Sequence, residues 1–268
     1  MDWLEILEES SQEIRKEVLN FYGTSEAAIG FGIGAGGDIM KKIDLVAEKA
    51  LIEVLEEHKV SCTLVSEETG TRRIGLHPPE SYVTTDPVDG TTNAVRGIPF
   101  MATAIAVSKA PYLADVETAL VSDLFHNITY TAQRDRGAFR NGERIQPSQE
   151  SSLEEAVVGV DFNTLRLGEL VARLEEVLIR TRHLRHFGAN ALEICYVADG
   201  ATDAFLDMRG KLRVTDIAAS YLIILEAGGI MVTPEGTQLN APLAATQRIA
   251  FIAAANKRIY EDIRKLME

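Results

Sequence analysis

The sequence predicts a layered fold of mixed α+β and α/β type, in which helices and β-sheets alternate. Residues 2–22 and 39–58 carry apolar side chains at helical spacing among charged ones. Short β-branched runs such as residues 81–85 indicate strands, and beyond residue 155 strand-like and helix-like segments alternate along the chain. These observations together predict helices packed against sheets.

In the first half, residues 2–22 form a predicted amphipathic packing helix. The glycine-rich residues 30–37, named here the glycine segment, are expected to be a mobile surface loop. A dinucleotide fingerprint is disfavoured there, because no strong strand precedes the segment. Helix 39–58 is expected to have Asp38 at its N-cap and Asp44 in its first turns. Further strands are predicted at residues 62–65, 81–85, 103–107, 119–121 and 128–133.

Asn141-Gly142 is a type I′ hairpin signal between two short strands. Residues 146–155 are polar and turn-rich, so the chain is predicted to divide there into subdomains 1–150 and 151–268. The second half is predicted to alternate between strands and helices, with Gly228-Gly229 ending one helix. Its strands are expected at 156–160, 184–187, 204–206, 230–232 and 249–255, and its helices at 165–180, 190–198, from Asp216 and from about residue 256.

The amino-acid composition argues against several classes of function. The chain of 268 residues has 27 Lys plus Arg against 40 Asp plus Glu, and its net charge of -13 argues against binding nucleic acid or an anionic membrane. Its two cysteines, Cys62 and Cys195, lie far apart and are expected in the core rather than in a disulfide or zinc site. No signal peptide or membrane span is recognisable, so a cytoplasmic protein is expected.

Residues 86–93 (DPVDGTTN) combine two acids, a proline, a glycine and two hydroxyls. Asp86 and Asp89 can aim their carboxylates to the same side as oxygen ligands for a hard cation. Gly90 lets the backbone approach a ligand closely, and the amides of residues 90–92 can hold phosphate oxygens. The alternative is a common Asp-Gly turn in which Asp89 only caps the following segment.

Two more acids have both a functional and a structural interpretation. Glu67 follows a strand within Ser66-Glu67-Glu68, which could be an ordinary exposed turn, and Asp216 could be a plain helix N-cap. Both are predicted to lie at strand–helix junctions, as are Asp86 and Asp89, and such junctions gather at one crevice in α/β folds. Four carboxylates there would repel unless cations neutralised them. Oxygen ligands without nearby Cys or His favour Mg²⁺ or Mn²⁺ over zinc.

Three separated motifs, at residues 66–68, 86–93 and 215–219, resemble the inositol monophosphatase family, and the resemblance extends along nearly the whole chain. It is strongest to the archaeal branch, whose members often also hydrolyse fructose-1,6-bisphosphate. The resemblance implies an αβαβα sandwich and a homodimer. It also implies a Mg²⁺-dependent phosphatase, with Mn²⁺ as a possible substitute, acting on phosphorylated sugars or polyols such as fructose-1,6-bisphosphate and inositol-1-phosphate.

The same resemblance assigns roles to individual residues. Water would attack phosphorus directly, without a phosphoenzyme. The five glycines of the glycine segment, independently of the resemblance, predict a mobile lid that closes when Asp38 meets a metal. The metal ligands implied are Glu67, Asp86, the Val88 carbonyl, Asp89 and Asp216, with Asp38 at a further, weaker metal. The catalytic residues implied are Asp44 and Thr91, which would orient the water, together with Glu67. The substrate contacts implied are Asp89, Gly90, Thr91, Thr92, Arg185, Asn190 and Arg209.

Two departures from the family pattern bear on the substrate. Thr215 stands where many members have Trp, which leaves metal ligation intact. Asp207 replaces a glutamate that some inositol-phosphate enzymes place against substrate hydroxyls, which weakens an inference to inositol as sole substrate. Alternatives are an enzyme of this fold acting on 3′-phosphonucleotides or histidinol phosphate, and a non-catalytic regulator that binds metal and sugar phosphate. The complete set of site residues argues against the regulator.

Overall fold

The structure is a computed structural model that describes residues 2–267. Its helices follow the apolar periodicity of the sequence, and none within the described residues is both long and apolar enough to cross a lipid bilayer. The helices are α1 (Trp3–Phe21), α2 (Lys42–Glu57), α3 (Thr91–Arg96), α4 (Leu167–Arg180), α5 (Asn190–Ala198), α6 (Val214–Ala227) and α7 (Lys257–Leu266).

The strands form two large sheets and a small hairpin. The hairpin pairs β1 (Gly30–Ile33) with β2 (Ile39–Lys41). The first sheet contains β3 (Cys62–Ser66), β4 (Gly70–Ile74), β5 (Ser81–Asp89), β6 (Ala102–Ser108), β7 (Val116–Asp123), β8 (Ile128–Gln133), β9 (Gly137–Arg140) and β10 (Glu143–Arg144). The second contains β11 (Val157–Val160), β12 (His183–Arg185), β13 (Ala204–Arg213), β14 (Ile230–Val232) and β15 (Arg248–Ala254).

Both sheets are mixed. The first has the order β10-β9-β8-β7-β6-β5-β3-β4 and is antiparallel except where β3 and β5 run parallel. The second has the order β12-β11-β13-β15-β14, with β11 parallel to both of its neighbours. The parallel pairing of β3 with β5 places the ends of these two strands side by side, which brings residues 67 and 86 to one edge of the first sheet.

The layers follow from alternation along the strands. In β6, Ile105 packs with α1 and α2 on one face, while Ala104 and Ala106 pack with α5 and α6 on the other. The small alanines allow α5 and α6 to lie close between the two sheets. Helices α4 and α7 cover the far face of the second sheet. The order helix, sheet, helix, sheet, helix confirms the predicted αβαβα sandwich.

Several local predictions are confirmed. Asn141 and Gly142 both have positive φ, 49° and 80°, as a type I′ turn requires. Gly228 ends α6 in the left-handed conformation with φ 98°, where a side chain would be strained. The bounds of β8, α5 and β14 agree with the sequence prediction. The structure agrees with these predictions because each one depends on a few adjacent residues.

The N-terminal hairpin corrects two predictions. The glycine segment was expected to be a loop, but residues 30–33 pair with Ile39–Lys41 as strands. Because that pairing uses the residues after Asp38, α2 begins at Lys42, and Asp38 is not its cap. Asp44 caps the helix instead by accepting the Lys41 amide at 2.9 Å. Strand β4 was also missed, since its exposed residues Thr71, Arg72 and Arg73 show no apolar alternation.

The division of the chain at residue 150 stays a prediction. Residues 146–155 lie between β10 and β11 without a helix or strand. The largest apolar core combines both halves, since it contains Val121 of β7 and Ile217 of α6. The two halves are therefore packed over a shared core.

Candidate active site

A cleft of about 1010 Å³ lies where the two halves meet. It is lined by most of the residues that the sequence assigns to chemistry, brought together from both halves. They are Asp38, Asp44, Glu67, Asp86, Val88, Asp89, Gly90, Thr91, Thr92, Asn190, Arg209 and Asp216.

Glu67, Asp86 and Asp216, named here the acidic cluster, form the centre of the cleft. Each offers a carboxylate oxygen, and these oxygens lie within 4.8 Å of one another. Burial raises the pKa of Glu67 and Asp86 well above their usual range, and the neighbouring carboxylates raise them further. Such a cluster is stabilised by positive charge placed between its members.

The local settings of these acids differ from the sequence prediction. Glu67 lies in the turn between β3 and β4, not at a strand–helix junction. Asp86 was expected at the end of its strand, but β5 continues to Asp89 through a bulge between these two residues. The bulge is stabilised by the Val88 amide, which donates to Asp86 Oδ1 at 3.1 Å. Asp216 is the third residue of α6 and accepts the Arg213 amide at 3.0 Å.

Gly90 stands between the acids and helix α3. Its φ of 84° lies in the left-handed region, and a Cβ there would lie 3.1 Å from the Phe100 carbonyl oxygen and 3.0 Å from Ala189 Cβ. Only glycine fits this position without strain. It directs the chain sharply into α3, whose first residues are Thr91 and Thr92.

Asp89 joins the two halves of the chain. Its carboxylate accepts the Asn190 amide at 3.0 Å and the Ala191 amide at 2.6 Å, so it caps the start of α5. Burial and Asp216 raise the pKa of Asp89 to about 8, although the two amides oppose the shift. Asp89 therefore caps a helix, but the capped helix is α5 rather than α3, and its role as a metal ligand stays a prediction.

Asp44 and Thr91 lie beside the acidic cluster. The Thr91 hydroxyl is 3.0 Å from Asp44 Oδ1 and 2.9 Å from the Val88 carbonyl oxygen, so it donates to one of these acceptors at a time. Burial raises the pKa of Asp44 to about 6, opposed by the hydrogen bonds from Lys41 and Thr91. This arrangement leaves the Thr91 oxygen able to accept a hydrogen bond from a molecule in the cleft.

Sequence reasoning missed Arg213, the last residue of β13. Its buried guanidinium lies 2.6 Å from Glu67 Oε1 and 3.7 Å from Asp216 Oδ2, and it also pairs with Asp38. The Asp38 side chain is 79% exposed and meets this arginine rather than the centre of the acidic cluster. An arginine three residues before a proposed metal ligand was the available signal, but nothing local indicated its partners.

The structure places some of the predicted substrate contacts in the cleft and one of them outside it. Asn190 lines the cleft, and its buried Oδ1 has no hydrogen-bond partner among residues 2–267, which leaves an acceptor for a ligand. Arg209 lines the cleft too, but its guanidinium is held by Asp161 at 2.7 Å and by Asp207. Because both partners of Arg209 are carboxylates, this arginine brings no unpaired positive charge to a substrate. Arg185 does not line the cleft in the described chain, and its guanidinium donates to the Leu184 carbonyl.

The donor set fits a hard divalent cation. The acidic cluster is made of carboxylates, the Val88 carbonyl also lines the cleft, and no histidine or cysteine belongs to the group found within residues 2–267. Arg213 contacts Glu67 and Asp216, whereas the charges that act on Asp86 are other carboxylates that raise its pKa. A cation between the three side chains would relieve this repulsion.

A pH-dependent effect of metal removal is expected from these shifts. In the folded protein the pKa values of Glu68 and Asp89 are raised to about 8, against unfolded values near 4. The folded state therefore holds protons more tightly, and in chelator the free energy of unfolding should fall as pH rises from about 4 to about 8. Urea denaturation midpoints across this range will measure it, and saturating Mg²⁺ should reduce the slope. Burial is the main cause of both shifts, and neighbouring carboxylates add to it. A midpoint in chelator that is constant with pH would contradict the raised pKa values.

A layered αβαβα sandwich with a carboxylate-lined cleft fits a phosphatase, a hydrolase of phosphoric monoesters. The family profile described as "Inositol monophosphatase family" matches residues 6–268. The chain belongs to the inositol monophosphatase family.

Relatives and a solved structure agree with this assignment. The fructose-1,6-bisphosphatase/inositol-1-monophosphatase of Methanothermobacter thermautotrophicus is 34% identical over 274 residues, covering 99% of this chain and 96% of the relative. A crystal structure described as an inositol monophosphatase–fructose 1,6 bisphosphatase has 31% identity and a TM-score of 0.87, covering 99% of this chain and 100% of the other. The bifunctional NADP phosphatase/NAD kinase of Methanococcus maripaludis is 35% identical and covers 95% of this chain, which spans 47% of that relative.

Proposed function

We propose that the protein is a magnesium-dependent phosphatase of phosphorylated sugars or polyols, with fructose-1,6-bisphosphate and inositol-1-phosphate as substrates. One observation carries this proposal: the acidic cluster lies in the same cleft as the Asp44–Thr91 pair and the start of α3. The names of the relatives support both substrates. Mn²⁺ is expected to replace Mg²⁺, since both prefer oxygen ligands.

The chain's own groups have distinct roles in this proposal. Glu67, Asp86, Asp89 and Asp216 would hold the metals, with the Val88 carbonyl as a further ligand and Asp38 at the edge. When bound, a divalent cation supplies Lewis-acid chemistry, because it lowers the pKa of water and neutralises charge on phosphate. The backbone amides of Gly90, Thr91 and Thr92 would bind phosphate oxygens at the turn into α3.

Thr91 and Asp44 would act on the attacking water. When the Thr91 hydroxyl donates to Asp44 rather than to the Val88 carbonyl, its oxygen would accept a hydrogen bond from the attacking water. Asp44 fixes the direction of that hydroxyl and stabilises the proton as it moves. No side-chain nucleophile is needed, so the proposal involves no phosphoenzyme.

The leaving group would lie towards the second half of the chain. Asn190 Oδ1 is an unpaired acceptor for a substrate hydroxyl. Arg209, balanced by Asp161 and Asp207, is better suited to hydroxyls shared with those carboxylates than to a second phosphate. Arg185 stays a predicted substrate contact, from outside the residues that line the cleft.

A substrate panel tests the proposed function directly. Initial rates of phosphate release should be measured on fructose-1,6-bisphosphate, inositol-1-phosphate, histidinol phosphate and 3′-phosphoadenosine phosphates. Chelator is expected to abolish the rates and Mg²⁺ to restore them, because the acidic cluster needs a cation. Activity unchanged in chelator would contradict the metal role, and no turnover of any substrate with Mg²⁺ would favour a non-catalytic regulator.

NADP belongs in the same panel as a second candidate substrate. The relative named as a bifunctional NADP phosphatase/NAD kinase matches almost the whole of this chain. The cleft, at about 1010 Å³, has the volume for a dinucleotide, and Phe100 and Phe187 line it as a stacked pair with centroids 4.8 Å apart. Release of phosphate from NADP faster than from fructose-1,6-bisphosphate would favour this candidate. The cytoplasmic location and the homodimer stay predictions.

A further inference from the structure

Arg213 is a basic residue that pairs directly with members of the acidic cluster. Its side chain is 9% exposed, and its guanidinium contacts Glu67, Asp216 and Asp38 together. Each of these carboxylates is a proposed metal ligand. The positive charge of one arginine is thus placed where a cation is expected to act.

The same guanidinium holds the glycine segment. Arg213 Nε donates to the Gly36 carbonyl at 3.2 Å, and the Gly36 amide donates to the Glu67 carbonyl at 2.8 Å. A Cβ on Gly36 would lie 2.9 Å from Arg213 Cζ, so the close approach of the arginine requires glycine there. The glycine segment is therefore held beside the acidic cluster by hydrogen bonds to Arg213 and Glu67.

Arg248 makes a useful comparison. It also donates to the Gly36 carbonyl, and its other contact is with the Lys211 carbonyl at 2.9 Å. Its hydrogen bonds go to backbone carbonyls, whereas Arg213 pairs with carboxylates. Arg248 shares the anchoring of the glycine segment with Arg213 but does not share the ion pairs.

We propose that Arg213 is a positioning residue with two linked effects. It holds Asp38 and the glycine segment beside Glu67 and Asp216, and its guanidinium competes with the metal for these carboxylates. A carboxylate oxygen that accepts a guanidinium N–H is less available to a cation, and two positive groups a few ångströms apart repel. The arginine therefore weakens metal binding while it keeps the segment closed.

The inference rests on the proposed metal site, and it is tested by binding without substrate. Mg²⁺ titration by calorimetry, checked with Mn²⁺ by electron paramagnetic resonance, gives the metal Kd. Hydrogen exchange of residues 34–38 reports the anchoring of the glycine segment. The variants are Arg213→Met, which removes charge and anchor, and Arg213→Lys, which keeps the charge. The third is Arg248→Met, which removes an anchor and a positive charge that acts on Asp216 without pairing with it.

The expected results differ among the three variants. Arg213→Met should bind Mg²⁺ about tenfold more tightly, because a repelling unit charge is removed. Arg213→Lys should stay within about twofold of the unchanged protein, because its charge is retained. All three should exchange faster at residues 34–38, because each loses a hydrogen bond to Gly36.

Equal or weaker Mg²⁺ binding by Arg213→Met would overturn the competition. Tighter binding by Arg248→Met to the same degree would also overturn it. Loosening of the glycine segment, or loss of a positive charge that pairs with no carboxylate, would then explain the effect. If Arg213→Met does not fold, Arg213→Gln replaces it, because glutamine is neutral but can still donate to the Gly36 carbonyl, and it should tighten binding too. If the unchanged protein binds no Mg²⁺, the metal-dependent function fails rather than this inference alone.

Discussion

Replacing Asp86 with asparagine is expected to lower kcat/KM for phosphate release by about a thousandfold or more. Asp86 is the member of the acidic cluster whose neighbouring charges are all carboxylates, so the change removes a charge that a cation would meet. Its one described hydrogen bond, from the Val88 amide, can be kept by the asparagine oxygen. Initial rates at saturating Mg²⁺ with fructose-1,6-bisphosphate measure the effect.

The control for this variant is its stability in chelator. Removing one of several repelling buried charges should leave the melting temperature unchanged or raise it. Asp89→Asn is a poorer test, because Asp89 accepts two amides at the start of α5 and asparagine can accept only one of them through oxygen. A folded Asp86→Asn protein with the turnover of the unchanged protein would show that the acidic cluster is not the metal site.

Replacing Thr91 with valine is expected to lower kcat by about 10²- to 10⁴-fold, with a smaller change in KM. Valine keeps the shape of threonine but removes the hydroxyl that lies between Asp44 and the Val88 carbonyl. The water would then lose its acceptor, while the backbone amides at the start of α3 stay in place. Asp44→Asn should give a loss of similar size through the same pair.

Thr92→Val is the matched control for this prediction. Thr92 is the next residue of α3, and its side chain is exposed. The proposal uses its amide rather than its hydroxyl, so turnover should stay within about threefold of the unchanged protein, the range of ordinary surface changes. Equal losses at positions 91 and 92 would indicate damage to α3 instead of loss of the water's acceptor.

Much of the fold was predictable because the relevant signals are local. Amphipathic spacing predicted α1 and most of α2, turn chemistry predicted the hairpin at Asn141-Gly142, and a glycine predicted the end of α6. The DPVDGTTN string similarly predicted Asp86 and Gly90 as parts of one turn-like site. Each of these features depends on residues close together in the chain, so a single sequence is enough to predict it.

The incorrect predictions for residues 30–41 also have a physical cause. Residues 30–41 form a hairpin because Gly30–Ile33 finds a partner in Ile39–Lys41, and five glycines give no propensity signal for a strand. That pairing moved the start of α2 to Lys42 and left Asp38 free to meet Arg213. Cross-strand pairing overrode the cap that Asp38 would otherwise have formed.

The sequence by itself determined which residue types carry the chemistry and which local elements hold them. Tertiary structure alone decided how the charges are shared: Arg213 pairs with Asp38 across 175 positions, and Asp89 caps a helix 101 positions away. It also decided that Arg209 is neutralised by Asp161 and Asp207. The reason is that Coulomb attraction depends on distance in space, which only the packing of the sheets and helices fixes.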